Sequence, residues 1–212
     1  MPGRTSRKST DAKWRIVASC EDDDSRKQVL FTQSEIGLMN TMRALWEQHV
    51  AWTRMTIISI AANLPDKELV SQRLLRNAKD MGNVLKSLYG NKNANEFSYL
   101  IREHLLIAAQ LVEAAKAGNT KEAANVERAW YENADEIANF LNSINPYLPV
   151  AAVREMLYQH LALTKSEAVA RLTGNFAQDI AAYDKIQRQA LTMADAITAG
   201  IVEQFPQLFA AN

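Results

Sequence analysis

RLLRNAKDMGNVLKSLYG, residues 73–90, and AWYENADEIANFLNSINP, residues 129–146, align without a gap. Asn77 falls on Asn133, Ala78 on Ala134, Asn83 on Asn139 and Ser87 on Ser143. Within each stretch apolar residues recur three and four positions apart, the spacing of one helix face. Gly90 closes the first and Asn145-Pro146 the second. Two similar helices far apart in the chain point to a repeated unit larger than one helix.

The segments that precede them carry a second likeness. WEQHVAWTR, residues 46–54, returns as LYQHLALTK, residues 157–165, and a third histidine, His104, lies in IREHLLIAAQ between them. Leu45 and Trp46 stand one turn before His49, Leu100 and Ile101 before His104, Met156 and Leu157 before His160. Each imidazole thus shares a helix face with apolar neighbours and is expected to turn inward.

Breaks in the apolar pattern divide residues 32–206 into six helices. The first starts at a capping box, Thr32 with Glu35, and runs to Leu64-Pro65. A second spans Asp66 to Tyr89, a third opens at Asn93 with Glu96, and a fourth at Asn119 with Glu122. The fifth begins near Pro149 and the sixth at Asn175 with Gln178, fading before Pro206. Alternating segments are absent, which excludes a parallel sheet. Short connections make sequential helices antiparallel neighbours. The expected fold is all-α: a six-helix up-down bundle of three antiparallel hairpins with internal duplication, although Asp179–Gly200 shows no clear counterpart to the repeated arm.

Composition narrows the setting. The chain has 212 residues, 48% of them apolar, enough for a real core. Its 24 basic and 24 acidic residues balance, so no net field recruits nucleic acid. Residues 1–30, with the polar run EDDDSRKQ, read as a flexible tail with one short strand at Trp14–Ala18, and residues 207–212 as a C-terminal tail. The apolar part of the N-terminus is too short for a secretory signal or a membrane span, and the single cysteine, Cys20, suits a reducing compartment. A cytoplasmic monomer or weak dimer is expected, since no long heptad run is left over once the core is assigned.

Residue counts from the turns place the polar groups in one layer. At about 1.5 Å per residue, His49 and Asp80 lie equally far from Leu64-Pro65, and Asp80 and His104 equally far from Gly90–Asn93. His49, Asp80, His104 and His160 make a candidate set of ligands for zinc, iron or manganese, with Asn77, Asn133 and Glu136 behind them to orient outer ring nitrogens. The competing expectation is a buried network in which each histidine shares a hydrogen bond with an Asp or Asn. Glu47 and Glu103 are out of phase with their histidines, so the paired Glu-x-x-His pattern of di-iron bundles is missing, as is HExxH. Arg54 and Lys165, each five residues after a histidine, read as bundle-edge charges or as cations that receive an anion at the rim. Trp46, Trp52, Trp130 and Tyr131 read as core aromatics, with a flat cofactor pocket as the alternative.

WEQHVAWTRMTIIS, RLLRNAKDM, WYENADEIANFLNSINPY and MLYQHLALTKSEAVARL together resemble an all-helical, functionally uncharacterised family of spore-forming bacteria. The resemblance covers about residues 35–206 and implies a helical fold without assigning a catalytic residue. Some members of that family carry an acetylglutamate kinase label. That kinase class implies an α/β fold with glycine-rich phosphate loops, and this sequence shows neither. GxSxG, Walker and dinucleotide patterns are missing too. The functional expectation is therefore a binding or interaction module, for a protein or small-molecule ligand, around a buried His/Asp/Asn layer. The alternative is a metal-binding protein or metal-dependent enzyme using that layer.

Overall fold

The computed structural model describes residues 31–210. The strand expected at Trp14–Ala18, the rest of the N-terminal tail and Cys20 lie outside the described residues. Among these, all regular structure is helical: α1 (Gln33–Ala62), α2 (Lys67–Lys116), α3 (Thr120–Ile144), α4 (Val150–Leu172), α5 (Phe176–Gln204) and the short α6 (Pro206–Phe209). Helix starts follow the capping chemistry. Thr32 and Glu35 form the reciprocal capping box of α1, while Asn119 and Asn175 accept the backbone N–H of Glu122 and Gln178.

The fifty residues of α2 are two arms. Gly90 breaks the helix with φ 78° and ψ 170°, a conformation that only glycine adopts without strain. A Cβ on Gly82 would stand 2.6 Å from the carbonyl oxygen of Ala94. In a straight helix residues 82 and 94 would lie about 18 Å apart, so the second arm folds back along the first. Asn93 does not open that arm as a cap; its side chain donates to the Tyr89 carbonyl and braces the bend.

The three helices that carry histidines end alike. Asn63, Gly118 and Gly174 are left-handed, with φ of 53°, 68° and 74°. Each donates its N–H to a carbonyl three residues back. The next residue donates to one five residues back: Leu64 to Ser59, Asn119 to Ala114 and Asn175 to Ala170. These are Schellman closures. Lys116 adds its ammonium to the Ile60 carbonyl and the Asn63 side chain, which places a cation at the negative end of α1.

Small residues let the arms approach. Ala78, Ala134, Ala190 and Ala194 are at most 1% exposed, packed with Met81, Ile137, Met193 and Leu161 in one core. The folded region also continues beyond residue 206. Phe209 is buried and belongs to the core, so the short α6 extends the domain into the stretch read as a tail. No described helix is long and apolar enough to cross a membrane.

Candidate functional site

Each histidine is met by an amide from the following arm. His104 Nδ1 lies 2.9 Å from Asn133 Oδ1, and Asn133 Nδ2 donates to the Leu100 carbonyl. His160 Nδ1 lies 3.0 Å from Gln189 Oε1, and Gln189 Nε2 donates to the Met156 carbonyl. Leu100 and Met156 stand four residues before their histidines, so each amide grips both the ring and the preceding turn. Asn77 repeats the pattern on α1 by donating to Leu45, four residues before His49. That third pair is looser: neither His49 Nδ1 nor Asn77 Oδ1 completes a hydrogen bond.

This arrangement fixes the tautomer in the two closed pairs. The amide NH2 is committed to a carbonyl, so its oxygen faces the ring and must accept from Nδ1–H. The Nε2 lone pair is left on the other side of the ring. Burial holds His104 at about 3 and His160 at about 4, against an ordinary 6.5, with His160 also lowering His104. His49 is held well below 6.5 by burial first, then by the nearby His160 and His104. Neutral rings, 3–4% exposed at most, therefore fill the layer. His49 and His160 have ring centres 5.5 Å apart, both edge-on to Trp46, and His104 packs on Trp130 at 5.3 Å.

Other expected members lie elsewhere. Asp80 does not meet His49; its carboxylate is 29% exposed and pairs with Arg76 one turn back. Glu136 faces solvent, since the inward side of α3 is taken by Asn133, Ala134, Ile137 and Ala138. Among the described residues, no three His, Cys, Asp or Glu side chains are grouped to hold a metal ion. The expected set of His49, Asp80, His104 and His160 is thus not assembled into a zinc, iron or manganese centre. Of the residues expected behind the ligands, Asn133 meets a ring, at His104 Nδ1, whereas Asn77 donates to the Leu45 carbonyl and closes no hydrogen bond with His49. Gln189 was missed, although Gln189-Ala190 followed by Met193-Ala194 repeats Asn133-Ala134 followed by Ile137-Ala138.

Arg54 is an interior tie rather than an edge charge. It reaches Glu167 at 2.5 Å and Asp179 at 2.6 Å, both carboxylates at most 2% exposed, and lies over the Tyr183 ring. Arg171 adds a second cation to Asp179 at 3.1 Å. Burial pushes the Glu167 carboxyl up to about 7 against the pull of Arg54. Lys165 does match the edge reading, being 45% exposed and paired with Glu127 at 2.5 Å.

Above the histidine layer a cavity of about 280 Å³ opens among α1, α2, α3 and α4. Its lower wall contains Thr53, Leu74, Ala108, Trp130 and Thr164, each one helical turn from His49, Asn77, His104, Asn133 and His160. The upper wall is apolar, with Ile57, Ile60, Val112, Ala168 and Leu172, and reaches the Schellman ends. Glu127 and Lys165 stand at the mouth. Thr56 and Thr198 hydrogen-bond the carbonyl four residues back, as helical threonines commonly do. Thr53 Oγ1 and Thr164 Oγ1 do not; they are buried without a partner, as is Trp130 Nε1.

Comparison of the chain with protein-family models, curated proteins and solved structures found no match.

Proposed function

We propose that this chain is a binding module that takes a mostly apolar small molecule into the cavity above the histidine–amide layer. The observation that carries this reading is the cavity itself: walls of Ile, Leu, Val and Ala, with the buried polar atoms of Thr53, Thr164 and Trp130 left without partners. Apolar walls with a few polar groups are the usual make-up of small-molecule sites. In this reading the histidines are scaffold. The rings of His104 and His160, held on one side by amides, stiffen the cavity floor, and the neutral layer keeps water-seeking charge out of it. A metal-dependent role has less support, because no three ligands are grouped among the described residues.

The three His–amide hairpins also support descent from one duplicated hairpin, with antiparallel arms in up-down order. Membership of the helical family of spore-forming bacteria, a cytoplasmic location and a monomeric or weakly dimeric state belong to the same proposal. The test is thermal: a ligand that binds only the folded state raises Tm with its concentration. Decanol is expected to raise Tm in the wild type and not in Ala108→Phe, whose ring fills the space. Equal shifts in the two proteins, or none in either, would remove the support for the cavity as the site.

A further inference from the structure

We propose that the ligand is a medium-chain aliphatic monocarboxylate whose head group takes Lys165 from Glu127 at the cavity mouth. This inference rests on the cavity being the binding site. Lys165 and Glu127 connect α4 to α3 across the opening, and both line the cavity. Glu127 already shows what Lys165 accepts: a carboxylate oxygen at 2.5 Å. That internal carboxylate is 29% exposed, so it turns out to solvent without crossing the core. An incoming acid can therefore exchange with it at little cost in solvation, because the pair sits in high dielectric on either side of the exchange.

The sign of the head group follows from the donors around it. Lys165 only donates hydrogen bonds, and so does the Trp130 indole, which is buried and has no acceptor. Trp130 lies three residues after Glu127 and so shares its side of α3. An amine ligand would take Glu127 and leave both donors unmatched. A carboxylate offers two acceptor oxygens.

The tail follows from the walls. The lining is mostly aliphatic, and its only fixed charges are those of the Glu127–Lys165 pair. A volume of about 280 Å³ stands at the small end of ligand sites, which suits a medium-length rather than a long chain.

Calorimetric titration of the full chain with octanoate, decanoate, decanol and decylamine tests this. Decanoate is expected to bind about five-fold more tightly than decanol, the scale of a rim ion pair. Lys165→Met should erase that difference, and Glu127→Gln should strengthen decanoate by removing its competitor. Both positions are partly exposed, and matching circular dichroism confirms the fold of each variant. Decanol binding as tightly as decanoate, or decylamine binding best, would overturn the acid head group while leaving the cavity standing. No binding of any of the four to wild type would overturn both.

Discussion

Gln189 holds His160 by the ring and by the turn beneath it: Oε1 lies 3.0 Å from Nδ1, and Nε2 donates to Met156 at 2.8 Å. Replacing Gln189 with Leu removes both bonds and leaves a buried Nδ1–H without an acceptor, while the Met156 carbonyl keeps its intrahelical N–H partner. The expected loss is about 1–3 kcal/mol for the unsatisfied group. Asn133→Leu should cost a similar amount through His104. Asn77→Leu should cost less, because the His49 hydrogen bond is not closed in the native protein. Urea denaturation ranks the three, and equal losses would count against the looser first pair.

Acid should unfold the protein through the same layer. The folded rings have pKa values below the ordinary 6.5, at about 3 for His104 and about 4 for His160. The unfolded chain therefore binds more protons. Their contribution is complete above about pH 6.5 and is lost as pH falls through about 4 for His160 and about 3 for His104. Glu167 runs the other way: raised from 4.5 to about 7, it favours folding at the lower end of that window. Three histidines outweigh one carboxyl, so urea midpoints should drop between pH 7 and pH 4.5. In Glu167→Gln the drop should steepen; a rising curve in wild type would contradict the neutral layer.

Arg54 is the cation shared by Glu167 and Asp179 in the core, with Arg171 as a second partner of Asp179. Arg54→Met should cost about 3–5 kcal/mol at pH 7.5, the scale for stranding buried charge. The deficit should shrink at pH 5.5, where the Glu167 carboxyl, already pushed up by burial, takes up a proton. Arg54→Lys should fall between, since an ammonium cannot reproduce the forked contact to Asp179. A pH-independent deficit would point to lost packing instead.

Two helical glycines should respond with opposite signs to the same change. Gly37 in α1 has open space where a Cβ would sit, so Gly37→Ala should stabilise by about 0.5–1 kcal/mol through helix propensity. Gly82→Ala drives a methyl to 2.6 Å from the Ala94 carbonyl and should cost about 1–3 kcal/mol despite the better propensity. Thermal unfolding of both variants reads the difference. A stabilised Gly82→Ala would mean that the arms of α2 separate more easily than their packing implies.

Helix positions were legible because their signals are local: Thr32, Asn119 and Asn175 cap as their sequences require. Registry was legible only in part. Counting from Leu64-Pro65 as an apex matched His49 with Asp80, whereas the chain reverses at left-handed Asn63. The descent has already begun by Leu64, whose carbonyl accepts from Lys67. The shift is three residues, nearly one turn, and it delivers Asn77 instead. Gln189 escaped notice because one extra methylene disguises it beside Asn77 and Asn133. The tie from Arg54 to Glu167 and Asp179 spans more than a hundred positions in the chain, and nothing local announces it.

His49, His104 and His160 each stand fourteen residues before the left-handed residue that ends their helix. Those fourteen positions act as a ruler with a fixed zero. Inserting one residue inside any of them would swing the histidine by about 100° and slide it about 1.5 Å, taking the ring off its amide and the cavity wall out of phase. One-residue insertions in three specific windows, 50–62, 105–117 and 161–173, are therefore expected to break the layer. The connection between α3 and α4, on the far side of the layer, is set by a different device: Asn145, fully buried, donates to the Tyr89 hydroxyl, and Leu148 packs into the core.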